Sequence, residues 1–286
     1  MSDILTQTQN SFLNHLKSQG RASATILAYG NDINQFVSFL RNESLSDPKQ
    51  VEKDHIEAFK KDLLTKNYTS KSVARKLNSI KTYFKYLESA QLISQNPSHG
   101  VSHPKYILNP PRILTKMEYR SLRDVCRHDA RMYAIIELFL QTGIRISELA
   151  NLSVQDIKNN KISIRAYESH GSRTIPLNKP AKDAVSKWLE MRPESDSDAV
   201  FLTKTGRPFQ VRNIRTAIDR YFKLADINNA TVNDLRHTFI AHQLKAGTPL
   251  TLVSKLAGHK RLSTTEKYLE FIKDKSTNET PKLEEL

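Results

Sequence analysis

Four side chains in this chain of 286 residues stand out by type and position: Arg145, Arg236, His259 and Tyr268. Three of them fall in consecutive blocks, Thr231-Val-Asn-Asp-Leu-Arg-His-Thr-Phe239, Leu256-Ala-Gly-His259 and Thr264-Thr-Glu-Lys-Tyr268. Thr231 or Asn233 suits a helix N-cap, with Asp234 in the first turn where the helix dipole favours an acid. Phe239, Ile240 and Leu244 give that helix an apolar face. Arg236 precedes Phe239 and Ile240 by three and four residues, so at about 100° per residue it lies on the same face. A guanidinium there is costly unless an anion meets it. A second helix carries Leu252, Val253 and Leu256 and stops at Gly258, a residue suited to the left-handed C′ position. His259 comes at once after it. Ser263-Thr-Thr-Glu266 reads as a capping box, which puts Tyr268 in the second turn of the next helix.

The same anomaly occurs upstream. Met132 to Gln141 is an apolar helical run ended by Thr142-Gly143, and Ile144-Arg-Ile-Ser-Glu-Leu-Ala-Asn-Leu152 comes next. On a helix Leu149 is rotated from Arg145 by about 40° and Leu152 by about −20°, so Arg145 also points along a core-facing stripe. Two inward arginines call for a shared anion, either a buried carboxylate or a phosphate.

Taken together, Thr142-Gly-Ile-Arg-Ile-Ser-Glu-Leu149, Asn233-Asp-Leu-Arg-His-Thr-Phe239, Leu256-Ala-Gly-His259 and Thr264-Thr-Glu-Lys-Tyr268 resemble the tyrosine recombinase (phage integrase) family in order and spacing. The resemblance implies a phosphodiester as the anion. Arg145 and Arg236 would clamp it and stabilise the charge that spreads over its non-bridging oxygens. Tyr268 would be the nucleophile, forming a 3′-phosphotyrosine and freeing a 5′-hydroxyl that attacks a second strand. His259 would hydrogen-bond the phosphate. Glu148, one turn after Arg145, would orient the site. A phenol has a pKa of about 10, and the cationic cluster is expected to favour its phenolate. The covalent link keeps the bond energy, so neither ATP nor metal is implied.

Two positions depart from the family pattern. Asn233 stands where a histidine is usual; it can donate to phosphate but cannot shuttle protons near neutral pH. Aligning Arg173-Thr-Ile-Pro-Leu177 with the family's strand puts Glu168 where the lysine that protonates the leaving oxygen usually sits. His170 is the candidate to replace it, with Lys161 a weaker one. His237, beside Arg236, matches a histidine common at that place; about 100° away from Arg236, it is grouped with the DNA-contacting residues. These departures leave a second reading open, a weakened DNA-binding relative that assembles on sites without strand exchange.

The remaining sequence must position these groups. Lys and Arg number 44 against 30 Asp and Glu, a net charge of +14 that favours a polyanionic partner. No apolar run reaches about 18 residues, and Met1-Ser-Asp-Ile-Leu is no signal peptide, so a cytoplasmic protein with no membrane partner is expected. The single Cys126 cannot form an internal disulfide. No Cys/His cluster has metal spacing and no Gly-rich phosphate loop occurs, so no cofactor is expected.

Residues 1–103 read as a helical domain of four helices. Phe12, Leu13 and Leu16 mark the first, and Ile26 to Leu40 the second. Asp54-His-Ile-Glu57 looks like a capped start of the third. The fourth runs from about Ser70 to Ser89, with Val73, Leu77, Ile80, Phe84 and Leu87 on one face. Its opposite face carries Lys71, Arg75, Asn78, Thr82 and Lys85, a stripe suited to tracking a phosphate backbone. By resemblance this is the core-binding DNA clamp of the family. Residues 104–112, with three prolines between Pro104 and Pro111, form the linker. Thr115 and Glu118 then open a domain over 113–286. Ile162 and Ile164 alternate with Lys161, Ser163 and Arg165, and Thr174-Ile-Pro-Leu177 returns, giving a hairpin to which Val200-Phe-Leu202 adds a third strand. Asn213 to Leu224 is helical, and the tail from Asp274 is polar.

The expected fold is therefore mainly α, a four-helix core-binding domain plus an α-rich catalytic domain with a small antiparallel sheet. With no further domain ahead of it, the chain resembles the small Xer or transposon-resolvase type. By resemblance its partner is double-stranded DNA with inverted half-sites, bound by a homodimer on one site and by a homotetramer in synapsis. Phosphate contacts should dominate affinity, so site binding measured by fluorescence anisotropy should weaken steeply from about 50 to 200 mM salt. A flat response would contradict phosphate contacts as its source.

Overall fold

A computed structural model describes residues 3–107, 109–166 and 171–273. The chain divides into two compact units, Met1–Leu108 and Asn109–Leu286. Glu168, His170 and the tail from Asp274 lie outside the described residues.

The first unit holds α1 (Ile4–Ser18), α2 (Ser23–Asn42), α3 (Lys53–Thr65) and α4 (Ser70–Ser89). Asp3 caps α1 by accepting the Thr6 N–H, and Thr69 caps α4 by accepting that of Ser72. The apolar face expected of α4 is fully buried at Val73, Leu77, Ile80, Phe84 and Leu87. It packs on Phe12, Ile33, Phe36 and Phe59 in one core. Each such side chain contributes about 1.5–3 kcal/mol on leaving water. The start of α3 differs from the expected Asp54 cap. Glu52 is the N-cap, because His55 Nδ1 reaches back 3.0 Å to accept the Glu52 N–H.

The α4 charges are not all on the outside. Asp32 of α2 is buried and bound by Lys76 at 3.1 Å, Ser79 at 2.7 Å and the Arg75 guanidinium. Three donors on one carboxylate offset its desolvation and lock α2 to α4. Lys71 and Lys85 lie on the exposed face; Arg75 is half-exposed but shares its charge with Asp32.

In the second unit come α5 (Lys116–Cys126), α6 (Ala130–Thr142), α7 (Ile146–Ala150), α8 (Lys179–Glu190), α9 (Val211–Leu224), α10 (Val232–Lys245), α11 (Leu250–Ala257) and α12 (Ser263–Lys273). Thr115 and Glu118 form the expected capping box of α5. A three-stranded antiparallel sheet, β1 (Ile157–Lys158), β2 (Lys161–Ile164) and β3 (Arg173–Pro176), lies between α7 and α8 in the chain.

The third strand is therefore not Val200-Phe-Leu202. Asn159 and Asn160, both at positive φ, turn β1 into β2 as a tight hairpin. The backbone of Val200 is committed elsewhere. Its N–H donates to Leu152 O, and its carbonyl accepts from Trp188 Nε1 at 2.8 Å. Helix α8 is an element that periodicity alone did not single out, although Asn178 caps it and Pro180 sits in its first turn.

Two helix ends set the packing of the second unit. Gly143 ends α6 at φ +61° and Gly258 ends α11 at φ +67°. A Cβ on Gly143 would fall 2.3 Å from Phe239 Cδ1, so α6 and α10 meet too closely there for any other residue. Among the described residues no helix is long and apolar enough to cross a membrane.

Candidate active site

The site is built on the last carbonyls of α11. A helix leaves its final carbonyls without intrahelical partners, and its C-terminus carries partial negative charge. Here three consecutive carbonyls each take one arginine. Leu256 O accepts from Arg173 Nε at 2.8 Å, Ala257 O from Arg236 Nη2 at 2.6 Å, and Gly258 O from Arg145 Nη2 at 2.5 Å. Arg236 also donates from Nη1 to Gly143 O, at the end of α6. Gly258 must be glycine for a second reason besides its φ. A Cβ would lie 2.8 Å from Arg173 Nη1 and 3.0 Å from Arg145 Nη1.

Arg236 is buried on the inner face of α10, as the spacing predicts. Burial first, then the charge of Arg145, pushes its acidity toward easier deprotonation than a free guanidinium shows. Carbonyl dipoles thus hold it in place without neutralising it, and an anion would offset the cost of burying it.

Arg145 arrives differently from the expectation. It is the extended N-cap of α7, not a residue on a helical stripe, and Leu152 lies beyond the end of that helix. Glu148 makes the geometry. One carboxylate oxygen accepts the Arg145 backbone N–H at 2.9 Å, and the other accepts Arg145 Nη1 at 2.9 Å.

Arg173 is a site residue that the sequence motifs did not single out. It binds Glu148 with both guanidinium ends at 2.7 Å and is nearly inaccessible. A signal was available. In the ladder Arg173 faces Ile164, two residues from the buried Ile175, so the period of two puts it on the inner face. Burial raises the Glu148 carboxyl, but the Arg173 bonds and the Arg145 N–H outweigh it and bring it down to about 2. Glu148 is thus an ion between two cations.

Tyr268 sits in the second turn of α12, as expected, although that helix already begins at Ser263, inside the segment read as its cap. The phenol is 7% exposed. Its Oη lies 2.5 Å from His237 Nδ1. This contact differs from the expected grouping of His237 with DNA-contacting residues. The apolar spacing of α10 marks one face, whereas burial runs almost all round the helix from Val232 to Ala241. The His259 ring stacks over Tyr268 with centroids 6.4 Å apart and planes at 18°. Nδ1 of His259 bonds Thr265 Oγ1 at 2.7 Å, tying it to α12.

The free phenol does not behave as the cationic surroundings suggested. Burial raises its pKa above the usual range, and Arg236 only partly opposes this. Burial, then Arg236 and Arg145, lowers His259 to about 4, so it is neutral at pH 7. His237 is lowered too, by burial first and Arg236 after the opposing pull of Asp234.

Asn233 is exposed in the first turn of α10, one turn before Arg236; the N-cap there is Thr231, whose N–H and hydroxyl both donate to Asp234. The structure therefore brings together Arg145, Glu148, Arg236, His237, His259 and Tyr268. Lys71, Arg75 and Lys85 belong to the other unit, and Lys161 is exposed on β2. Cys126 is buried and its thiol pushed up to about 12 by burial and Asp129, which makes it inert. Among the described residues no group of three or more His, Cys, Asp and Glu is placed to hold a metal.

The chain matches the family model described as phage integrase family over residues 112–274, and the N-terminal SAM-like domain of phage integrases over residues 10–91. It is 33% identical to a tyrosine recombinase XerC of Thermodesulfovibrio yellowstonii, covering 92% of both chains. It is 30% identical to a XerC of Roseiflexus castenholzii, covering 92% of this chain and 88% of that one. Its fold is similar to that of a lambda integrase dimer bound to a core site, with TM-score 0.79 at 16% identity over 98% of this chain and 79% of that one. The Tn1549 transposon integrase in complex with circular intermediate DNA gives TM-score 0.76 at 19% identity over 93% and 95%.

The Glu148 knot generates a stability prediction. Glu148→Gln leaves Arg173 buried without its counter-charge, at a cost of about 3–5 kcal/mol. Denaturation followed by the emission of Trp188 should show the loss. The sign with pH comes from the depressed carboxyl: its contribution is complete above the ordinary value of 4.5 and disappears as pH falls toward 2. The wild-type stability curve should bend in that window, and the Gln variant should lack that part of the bend.

Proposed function

We propose, from the premise that this chain belongs to the phage integrase family and is a tyrosine-type site-specific recombinase, that Tyr268 is its nucleophile and that Arg145, Arg236 and His259 hold the phosphodiester it attacks. The observation that carries the assignment is the anchoring of Arg236 and Arg145 on the adjacent Ala257 and Gly258 carbonyls, with Tyr268 stacked on the next residue, His259. Two fixed cations and a neutral imidazole then surround one place where a phosphate can sit beside the phenol.

In this reading the partner is double-stranded DNA. Support comes from the relatives, which are recombinases, and from structural neighbours solved on DNA. Preorganised arginines stabilise the charge of the in-line displacement, since their dipolar anchors need no rearrangement at the moment of reaction. The Tyr268 oxygen forms a bond to phosphorus as the bond to the 5′-oxygen breaks. A 5′-hydroxyl then attacks the 3′-phosphotyrosine and rejoins the strand, so no ATP or metal is consumed. Integration, excision or resolution of a DNA element depends on the arrangement of sites. Glu148 holds Arg145 and Arg173 in place, and Asn233 donates to the phosphate. Lys71 and Lys85, with Arg75, supply backbone contacts from the first unit. The protein acts in the cytoplasm, as a homodimer on inverted half-sites and a homotetramer in synapsis.

The test is covalent trapping. A duplex is selected from randomised double-stranded DNA by binding to the Tyr268→Phe protein, then nicked and incubated with wild type. An SDS-resistant adduct is expected, absent with Tyr268→Phe and slower by about 100-fold or more with Arg236→Ala. Stable binding with no adduct would reject the nucleophile and leave a DNA-binding protein.

His170 is our candidate for protonating the leaving 5′-oxygen. In that role, His170→Ala should cleave the ordinary nicked duplex slowly but recover on a 5′-bridging phosphorothiolate, whose sulfur leaves without a proton. Failure to recover would remove His170 from the mechanism.

A further inference from the structure

The geometry points to His237 as the group that takes the phenolic proton of Tyr268 during cleavage and returns it during rejoining. The inference rests on Tyr268 being the nucleophile.

A general base must first be within hydrogen-bond reach. His237 Nδ1 lies 2.5 Å from Tyr268 Oη. The two rings are tilted at 42° with centroids 5.8 Å apart, which brings the ring nitrogen against the hydroxyl. With Tyr268 only 7% exposed, bulk water is a poor alternative acceptor.

The neighbouring groups are otherwise committed. His259 covers the face of the phenol, and its Nδ1 is bonded to Thr265. Arg236 has donors only. The Asp234 carboxylate accepts from the N–H and hydroxyl of Thr231 at 2.7 and 2.9 Å. Among the described residues, His237 is the one whose ring nitrogen lies within hydrogen-bond reach of the phenolic oxygen, and its Nε2–H tautomer makes that nitrogen an acceptor.

The charge state agrees with that role. His237 is faced by Asp234 and Arg236 from α10, by Tyr268 from α12, and by His259 from the segment after α11. Burial and Arg236 keep it neutral at pH 7 against the pull of Asp234. Neutral imidazole with its proton on Nε2 presents the lone pair of Nδ1. A phosphate on Arg236 would offset that repulsive charge and make the imidazole a stronger base once substrate is bound.

The step balances. The Tyr268 O–H bond breaks and the proton goes to His237 Nδ1. The phenolate oxygen bonds to phosphorus, the P–O5′ bond breaks with its electron pair on the leaving oxygen, and that oxygen takes a proton from the general acid proposed above. In rejoining, the 5′-hydroxyl returns its proton to that acid's conjugate base as its oxygen bonds to phosphorus, the bond to Tyr268 breaks, and the phenolate recovers its own proton from the imidazolium.

The experiment uses the full chain and the selected nicked duplex, with His237→Ala and His237→Gln measured for single-turnover adduct formation from pH 6 to 9.5. Both variants should be slower by about 100-fold at pH 7. The deficit should shrink as pH rises, because hydroxide then competes for the phenolic proton. A second assay removes the proton transfer. In the Tyr268→Phe background, a strand ending in a 3′-p-nitrophenyl phosphate is joined to a 5′-hydroxyl, and p-nitrophenolate departs unaided. There the His237 substitutions should change the rate by less than about threefold. Adduct formation within about threefold of wild type at pH 7 would overturn the proposal. So would an equal loss in both assays, because His237 would then only shape the site or the fold. Failure of the wild-type chain to form any adduct would instead reject Tyr268 as nucleophile, which separates the two readings.

Discussion

The end of one eight-residue helix organises the catalytic unit. Leu256, Ala257 and Gly258 present three carbonyls with no helical partners, and three arginines from three different elements bind them in turn. Helix termini usually meet such carbonyls with water or with a single basic side chain. Here the unmet need of the helix does the positioning. Among the described residues, Glu148 supplies the only carboxylate in the knot and binds Arg145 and Arg173, leaving Arg236 restrained by carbonyls. The cluster carries three cations for one anion. That imbalance leaves an excess of positive charge, which suits the anionic phosphodiester proposed for the site.

Closeness of packing enforces the same arrangement. Gly143 lets α6 end against Phe239 of α10, so that Gly143 O reaches Arg236. Gly258 leaves room for the guanidinium groups of Arg145 and Arg173 side by side. In both cases the glycine answers a positive φ and a steric limit at one position. The phenol is seated by two separate anchors, His237 on α10 and, through Thr265, His259 after α11.

Much of this was legible in the sequence because the signals were local. The apolar face of α4, the Thr115 cap, the glycine stops of α6 and α11 and the turn position of Tyr268 all come from spacing. The inward arginine of α10 was legible too, since a charged residue on an apolar face is visible in one dimension. The rest depended on partners distant in the chain. Arg173 could be read as inward from the strand period, but that Glu148 would receive it could not. Spacing turned Arg145 inward for a mistaken reason, since its neighbours form one short turn and Glu148 aims it. His237 lies off the face that the helical period singles out, and only a helix buried nearly all round brings it to the phenol. The hairpin at Asn159 and Asn160 was a missed turn signal, and it displaced the expected third strand.

The separations along the chain have a consequence for biosynthesis. Arg145 meets an acceptor 113 residues later, and Arg173 one 83 residues later. A ribosome therefore releases both arginines well before the carbonyls that seat them exist. Until residues 256–258 emerge, Arg145 and Arg173 have Glu148 as an anchor but lack their carbonyl acceptors, and Tyr268 comes later still. A chain cut short before that point lacks Tyr268 and also the carbonyl anchors of its three arginines. The same last segment therefore completes both the arginine scaffold and the buried phenol.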